Sequence, residues 1–467
     1  MRKLLAAALT AAFALVSAPA PAVAFDTGPH GNITEDALAR LGFNRAAADA
    51  VQVENWLTDY YTSTPTIGSG AKCQLEKLHF DDVFSNADVA AYWTTLAANT
   101  QAAAQQAESH NDVVELYTVL GMSLHVVQDF YTHSNWVELN GTSGAYKTAS
   151  WFQTPAPPSG LVTGWYANCL NVPEGGHVPH GGYASGLNHD SVVRPGYDRA
   201  YVYALAASYE WASNVLGWVS SGFAARAKTF RPNDTDAAEL AYDQKASIYV
   251  SEWIENPLDT ASLDGHWNGN HSGYALAFAP FVAAWTGAHD SRYVRAFKQK
   301  AVYAALSRGL YQPATVAMPA FTVQPTRGTV FAMRTLSVNA FKAGNESYFG
   351  TLVATNAGNG YAYRDASQYH RPRTDVPWLQ LVLVPASTST LRFEYSLSNE
   401  YLSTRNDLVP IQDGKKTLTF ACETANASCS GDVAGGPWSQ SSPYTTKGSG
   451  FSGVELKLYF SSTPAAP

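Results

Sequence analysis

Three potential metal ligands recur at every fourth position in one apolar segment of the chain. They are His125, Asp129 and His133, and the other residues of the run from 120 to 136 are mostly apolar. On an α-helix, residues at i, i+4 and i+8 lie close to one face. A buried carboxylate is costly unless it is paired or binds a metal, and two imidazoles with a carboxylate suit zinc. The segment therefore predicts a buried helix with three metal ligands; the alternative is a core helix with a His–Asp hydrogen bond.

Further histidines and acids lie on both sides of this segment. Of the 12 histidines, only His370 lies beyond residue 290, so the ligand chemistry belongs to the first part of the chain. The other candidates are His30, Asp59, His79, His180 and Asp190.

The beginning of the chain has the three parts of a secretory signal peptide. Two basic residues precede an apolar run over residues 4–16, and an Ala-Val-Ala cleavage site ends at Ala24. We expect residues 1–24 to be removed and the protein to be secreted, extracellular or periplasmic, with Phe25 at its mature N-terminus. No later segment approaches the 18 uninterrupted apolar residues that would indicate a membrane helix.

Charge and cysteine content narrow the function classes. Without residues 1–24 the chain has 28 basic and 38 acidic residues, a formal charge of −10. This charge argues against an extended nucleic-acid surface, although not against a small phosphodiesterase site. Four cysteines in an exported protein predict two disulfides. Cys422 and Cys429 enclose a short loop and are expected to pair, which leaves Cys73 for Cys169.

Hydrophobic periodicity divides the chain into a helical and a β-rich part. Helices are predicted over residues 86–110, 111–132, 197–219, 235–254 and 292–310, with a Gly/Pro-rich loop over 141–196. Strands are predicted over 335–341, 348–354, 378–384, 390–396, 416–421 and 454–460. We therefore predict a mainly α protein, with an all-helical domain over 25–312 and an antiparallel β-sandwich domain over 313–467.

In their order along the chain, the ligand-bearing motifs resemble the zinc-dependent phospholipase C and single-strand-specific nuclease superfamily. The helical segment, with the later His-Gly-Gly and Gly-Leu-Asn-x-Asp-Ser, is most similar to the heterokaryon-incompatibility C-type branch and its bacterial phospholipase C relatives. The resemblance covers about residues 25–310 and implies an all-helical catalytic domain with about three zinc ions. The β-rich tail lies outside it.

Two of the implied zinc sites share one carboxylate. In this resemblance the processed N-terminal residue is itself a ligand, and Asp129 bridges two ions. One site would take Asp59, His79, His125 and Asp129. The other would take the amine and carbonyl of Phe25, the imidazole of His30 and the second oxygen of Asp129.

The remaining implied zinc site draws on the long loop. It would take His133 with His180 and Asp190, and His177 or His189 could substitute for either loop ligand. These alternatives stay open because the chain has no His-x-x-x-Glu or His-x-x-x-Asp pair in the place where the family pattern completes this site. The imidazole of His133 also lies four residues beyond the helical Asp, where the family pattern has six.

The resemblance implies a secreted phospholipase C that uses zinc-activated water to cleave the bond between diacylglycerol and a phosphorylated head group. Asp59 and Asp129 are the expected catalytic residues, with Asp59 as a possible proton acceptor. Tyr60 could hold a choline-type head group by cation–π attraction, or could simply be packed. We expect a monomer that contacts a membrane surface peripherally. The alternatives are a zinc-dependent single-strand nuclease or other phosphodiesterase, and a non-catalytic toxin-like surface protein with structural zinc.

Overall fold

The computed structural model describes residues 27–63, 76–81, 83–154, 158–164, 187–190, 192, 194–255, 281, 284–285, 290–298, 316–341, 346–354, 361–370, 374–401 and 405–467. Within these ranges, helices precede the main strands. None of the helices in this part of the chain is both long and apolar enough to cross a bilayer. The helices are α1 (Thr27–Arg40), α2 (Arg45–Ser63), α3 (Asn86–Ser109), α4 (Val113–Thr132), α5 (Trp136–Asn140), α6 (Tyr197–Gly217), α7 (Ser221–Lys228), α8 (Asp234–Glu255) and α9 (Arg292–Lys298).

Helix α4 is the central helix of the α-helical part, and every residue from Val114 to Thr132 is buried. The sequence predicted that this helix would start at Asn111. It starts two residues later, because Asn111 has a left-handed φ of 55° and the Asp112 carboxylate caps the helix by accepting from the Val114 amide at 2.9 Å. The packing of α2 and α6 against α4 surrounds its polar face with other helices.

The second part of the chain forms most of two mainly antiparallel sheets. The prediction that residues 25–312 are all-helical is wrong at Tyr146–Lys147, which form a short strand parallel to the last strand of the chain. One sheet has the order β1-β11-β2-β5 with β10 also paired to β11, and the other has the order β4-β3-β6-β8-β9 with β7 paired to β6. The strands are β1 (Tyr146–Lys147), β2 (Gly328–Ala340), β3 (Glu346–Ala354), β4 (Tyr361–His370), β5 (Thr374–Pro385), β6 (Thr390–Tyr401), β7 (Arg405–Leu408), β8 (Thr417–Glu423), β9 (Cys429–Gly431), β10 (Tyr444–Lys447) and β11 (Val454–Ala466).

The sheet that contains β2 lies between the helices and the second sheet. Along β2, Val330 and Ala332 join the apolar cluster of the helical part, whereas Phe331 and Met333 join the core between the two sheets. Successive side chains of a strand point to opposite faces, so β2 is buried on both sides. The expected helical part followed by an antiparallel β part is therefore present, and the two parts share an apolar interface.

Side chains of α6 hold the segment that leads into β2. The Asn214 amide donates to the Thr322 carbonyl at 3.0 Å, and its oxygen accepts from the Thr322 amide at 2.6 Å. Trp218 donates to the Ala320 carbonyl, and the Glu210 carboxylate accepts from the Gln324 amide at 2.8 Å. The domain boundary predicted at residue 312 lies outside the described residues and stays a prediction.

The predicted pairing of Cys422 with Cys429 is present as a disulfide. These two residues face each other in the register of β8 and β9, so the crosslink joins adjacent strands. The other predicted pair, Cys73 with Cys169, lies outside the described residues.

We predict that Gly121→Ala destabilises the protein, because α2 and α4 cross at this glycine. An added Cβ would lie 2.5 Å from the Glu54 Cβ and 2.6 Å from the Asn55 amide nitrogen. Such overpacking typically costs about 1–3 kcal/mol. Urea denaturation measures the loss, and Gly217→Ala is the control because nothing lies within 4 Å of its added Cβ. Equal stability of the two variants would contradict the close crossing.

We also predict a pH-dependent stability term from Glu54 on α2. Burial raises the pKa of its carboxyl well above the ordinary value of 4.5, an effect opposed by a hydrogen bond from Thr118 and reinforced by Asp243. The folded state therefore holds a proton that the unfolded state releases, so stability falls as pH rises from about 4.5 through the folded pKa. Glu54→Gln should flatten this fall in denaturation midpoints, whereas Glu394→Gln, at an exposed position on β6, should not. An unchanged slope in Glu54→Gln would refute the assignment.

Candidate metal centre

Five predicted ligands converge inside the helical part from four separate segments. His30 lies on α1, Asp59 on α2, His79 in the 3₁₀ turn Glu76–His79, and both His125 and Asp129 on α4. None of these five residues is more than 4% exposed. The close crossing of α2 and α4 brings Asp59 beside His125, although the two residues are far apart in sequence.

The carboxylate of Asp129 lies at the centre of the cluster, with each oxygen facing a different set of imidazoles. Its Oδ1 is 3.1 Å from His30 Nε2. Its Oδ2 is 3.0 Å from His79 Nδ1 and 3.0 Å from His125 Nε2. Asp129 therefore contacts imidazoles from three segments of the chain, and each of its oxygens could bind a cation.

Asp59 lies beside the imidazoles of His79 and His125. Its Oδ1 lies 3.5 Å from His125 Nε2 and 3.8 Å from His79 Nδ1, and these two ring nitrogens are 3.2 Å apart. In each of two groups, one ligand atom per residue lies within 4.8 Å of the others. Because imidazole nitrogens and carboxylate oxygens are zinc ligands, each group could hold a metal ion of this type. One group consists of His30, His125 and Asp129. The other group consists of Asp59, His79 and His125.

The electrostatics favour the protonation states that bind metal. Burial lowers the pKa of His125 to about 3, even though the charge of Asp129 opposes this shift. Burial acts to raise the pKa of Asp129, but the neighbouring His125, His30 and His133 outweigh it and hold that pKa well below its usual range. At neutral pH the imidazole of His125 is therefore neutral and Asp129 is ionised, which are the forms that ligate a cation.

His133, just after α4, belongs to a neighbouring acidic cluster. Its Nε2 lies 3.1 Å from Asp190 Oδ1, while its Nδ1 is 2.8 Å from the His79 carbonyl and 3.4 Å from Asp81 Oδ2. Burial acts to lower the pKa of His133, but Asp81, Asp190 and Asp129 raise it well above its usual value. This environment stabilises a positive charge on His133. It also brings together His133 and Asp190, two of the three ligands expected of the zinc site that draws on the long loop.

Other expected ligands are either differently oriented or outside the described residues. His189 donates from Nδ1 to the Pro195 carbonyl at 2.6 Å, and its Nε2 lies 3.2 Å from Glu138. The described geometry therefore places Asp190, rather than His189, against His133. The remaining ligands named from the sequence are outside the described residues, and their roles stay predictions: Phe25, His177 and His180.

Tyr60 is packed in an aromatic cluster beside the centre. Its ring centroid lies 5.4 Å from that of Trp56, 5.1 Å from Tyr61 and 4.9 Å from Trp285, and the residue is 3% exposed. Burial raises the pKa of its hydroxyl to about 12. These contacts match the packed alternative, and a contact between Tyr60 and a head group stays a prediction.

Two amide side chains that the sequence analysis did not single out contact the Nδ1 atoms of His125 and His30, on the side of each ring opposite Asp129. Asn55 Oδ1 lies 3.0 Å from His125 Nδ1, and Gln128 Oε1 lies 2.5 Å from His30 Nδ1. Both residues are buried. A local signal exists for each of them, since Asn55 precedes Asp59 by one helical turn and Gln128 follows His125 by three residues on a buried helix.

Comparisons with known proteins give only partial or distant similarity. Residues 53–152, about a fifth of the chain, match a family model described as the VWA7 N-terminal domain. No curated protein sequence matches. Two solved structures are distantly similar, the alpha toxin from Clostridium absonum (13% identity, 87% of this chain and 93% of that chain, TM-score 0.18) and an alpha-toxin of Clostridium perfringens from an avian strain (9%, 84% and 96%, TM-score 0.15). At TM-scores this low, the similarity carries no argument about fold or activity.

We predict that Asp129→Asn removes more bound zinc than a substitution at either flanking ligand. Asp129 contacts the imidazoles of both ligand groups, whereas Asp59→Asn affects one group and His30→Asn affects the other. Chelator-treated proteins would be re-equilibrated with zinc, and bound metal counted by inductively coupled plasma mass spectrometry. Full zinc content in Asp129→Asn would contradict a shared carboxylate. Glu394→Gln serves as the control for an acid-to-amide change away from the centre.

Proposed function

We propose that this chain is a secreted zinc-dependent phosphodiester hydrolase of the phospholipase C type. The observation that carries the proposal is the position of Asp129, whose two oxygens face His30 on one side and His79 with His125 on the other. Adjacent metal sites that share ligands are typical of enzymes that hydrolyse phosphate esters. No Ser or Cys nucleophile is required in such a site.

The residues of the chain bind the metal and handle the proton. When bound, zinc supplies Lewis acidity toward the phosphodiester and makes water a nucleophile near neutral pH. The three buried imidazoles orient toward Asp129, and the surrounding helices exclude bulk water from the ligands. Asp59, 3.5 and 3.8 Å from the imidazoles of His125 and His79, is the proposed proton acceptor.

A phospholipid is the proposed substrate class. The formal charge of −10 without residues 1–24 gives no electrostatic attraction for a long polyanion, whereas a single phosphodiester needs only the centre itself. Docking would take place at a membrane surface, with the protein as a peripheral monomer. The β part is the candidate for contact with that surface.

The burial of the ligands favours a second candidate, a non-catalytic surface protein with structural zinc. Structural zinc sites are closed by protein ligands, whereas catalytic sites keep a position open for water or substrate. His125 and Asp129 are both 0% exposed, and Asp59 is 3% exposed. For the catalytic proposal to hold, a position beside these ligands must be open to water and substrate.

The test is release of phosphorylated head group from phosphatidylcholine vesicles by the purified secreted protein. We predict that a chelator abolishes release and that zinc restores it, because water near the ligands alone is a poor nucleophile. Asp59→Asn should lower the zinc-restored rate about 100-fold or more, because it removes both a metal ligand and the proposed proton acceptor. Asp234→Asn, at an exposed position of α8 in the helical part, should release head group at the wild-type rate.

Three outcomes separate the candidates. Zinc-dependent release establishes the phospholipase activity. Zinc-dependent cleavage of single-stranded DNA without release from vesicles would replace it with the nuclease. Protein that holds its zinc, is stabilised by it and cleaves neither substrate would support the structural-zinc candidate instead.

A further inference from the structure

A continuous chain of hydrogen bonds links two of the ligand histidines through side-chain amides. His125 Nδ1 lies 3.0 Å from Asn55 Oδ1, the Asn55 amide donates to Gln128 Oε1 at 3.1 Å, and His30 Nδ1 lies 2.5 Å from the same Gln128 oxygen. Every member of this chain is buried. These hydrogen bonds lie on the Nδ1 side of the two imidazoles, opposite the Nε2 atoms that face Asp129.

The amide nitrogens of Gln128 and Asn55 donate hydrogen bonds to two hydroxyl groups. Gln128 Nε2 donates to Thr34 Oγ1 at 3.0 Å and to Ser208 Oγ at 3.3 Å, and Asn55 Nδ2 donates to Thr34 Oγ1 at 3.2 Å. With both amide nitrogens engaged there, both amide oxygens face the histidines. An amide oxygen only accepts, so each imidazole must donate from Nδ1.

A neutral imidazole carries one ring proton, so donation from Nδ1 leaves a lone pair on Nε2. These lone pairs point at Asp129, since Nε2 of His30 is 3.1 Å from Oδ1 and Nε2 of His125 is 3.0 Å from Oδ2. The two rings are stacked with centroids 4.3 Å apart, which places both lone pairs on the same side. Neutral imidazoles with the lone pair inward are the form that binds a metal ion.

The direction of one amide fixes the direction of the other. If Gln128 alone turned over, its nitrogen would face the Asn55 nitrogen, and two donors would oppose each other without an acceptor. Reversal is therefore possible only for both amides together, and it would move the proton of both histidines to Nε2. The ring protons of His30 and His125, which lie on different helices, are linked through this pair of amides.

We propose that Asn55 and Gln128 are positioning residues that hold His30 and His125 as Nδ1-protonated tautomers, ready to bind a divalent cation through Nε2. The inference rests on the metal centre of the proposed function, and it adds the residues that set the ligands' protonation. Hydrogen-bond partners on the outer side of ligating imidazoles typically change metal affinity about 10–100-fold when they are removed.

The tautomers can be measured without metal or substrate. In chelator-treated protein with ¹⁵N-labelled histidine, long-range ¹H–¹⁵N correlation spectra distinguish a protonated Nδ1 from a protonated Nε2. We expect the Nδ1-protonated pattern for both rings, with the signals assigned by their loss in His30→Gln and His125→Gln. Nε2-protonated rings, or different tautomers for the two histidines, would overturn the proposal.

Paired substitutions at Gln128 then test the link to metal binding. Gln128→Leu removes the acceptor and should weaken zinc affinity about 10–100-fold, as read by competition with a chromogenic chelator. Gln128→Glu keeps an oxygen for His30, and Thr34 and Ser208 can turn their hydroxyls to donate to it, so it should retain affinity close to wild type. A purely structural role would lower unfolding midpoints of both variants without this difference in affinity.

The outcomes keep this inference separate from the proposed function. If the wild-type protein binds no zinc, the proposed function fails, while the tautomer spectra still decide the positioning role. If zinc binds with equal affinity to the wild type and Gln128→Leu, or with Gln128→Glu as weak as Gln128→Leu, the positioning role is wrong and the metal centre stands. If Gln128→Leu does not fold, the wild-type spectra alone decide the positioning role.

Discussion

The buried negative charge of Asp129 is the constraint on which the arrangement of the helical part depends. A carboxylate that is 0% exposed is costly unless cationic or donor groups surround it. Three imidazoles lie against its oxygens and could bind a cation together with it, and they come from α1, the 3₁₀ turn Glu76–His79 and α4 itself. The segments that carry these imidazoles must pack closely around one point, which explains why a chain rich in aromatic side chains builds its core around a polar centre.

The helix packing and the β part both contribute to holding this centre. Gly121 permits the close approach of α2 to α4 that brings Asn55 and Asp59 to His125. Helix α1, which carries His30, is fixed at its other end by Arg40, whose guanidinium binds Asp36 and donates to a backbone carbonyl of β5. The sheet therefore supports a helix of the centre directly, so loosening the β part is expected to disturb the ligands as well.

The same burial that makes the centre strong as a metal site limits its access. Ligands enclosed on all sides by helices retain a cation well, while a substrate needs an open position beside it. The acids around His133, namely Asp81 and Asp190, extend the negative region toward the long loop. The two ligand groups could each hold a metal ion, and hydrolysis would further require an open position for water beside them.

The sequence by itself determined which residues could ligate a metal and which of them share a helical face, because a 3.6-residue period fixes the relation of His125 to Asp129. It also determined the main strands and the Cys422–Cys429 pair, but it missed β1, β4, β7, β9 and β10, whose residues are short runs or mostly polar. Only the tertiary structure decided that Asn55 joins His125 and that Gln128 joins His30. These contacts span 70 and 98 positions of the chain and leave no local periodicity, since they arise from the packing of separate helices.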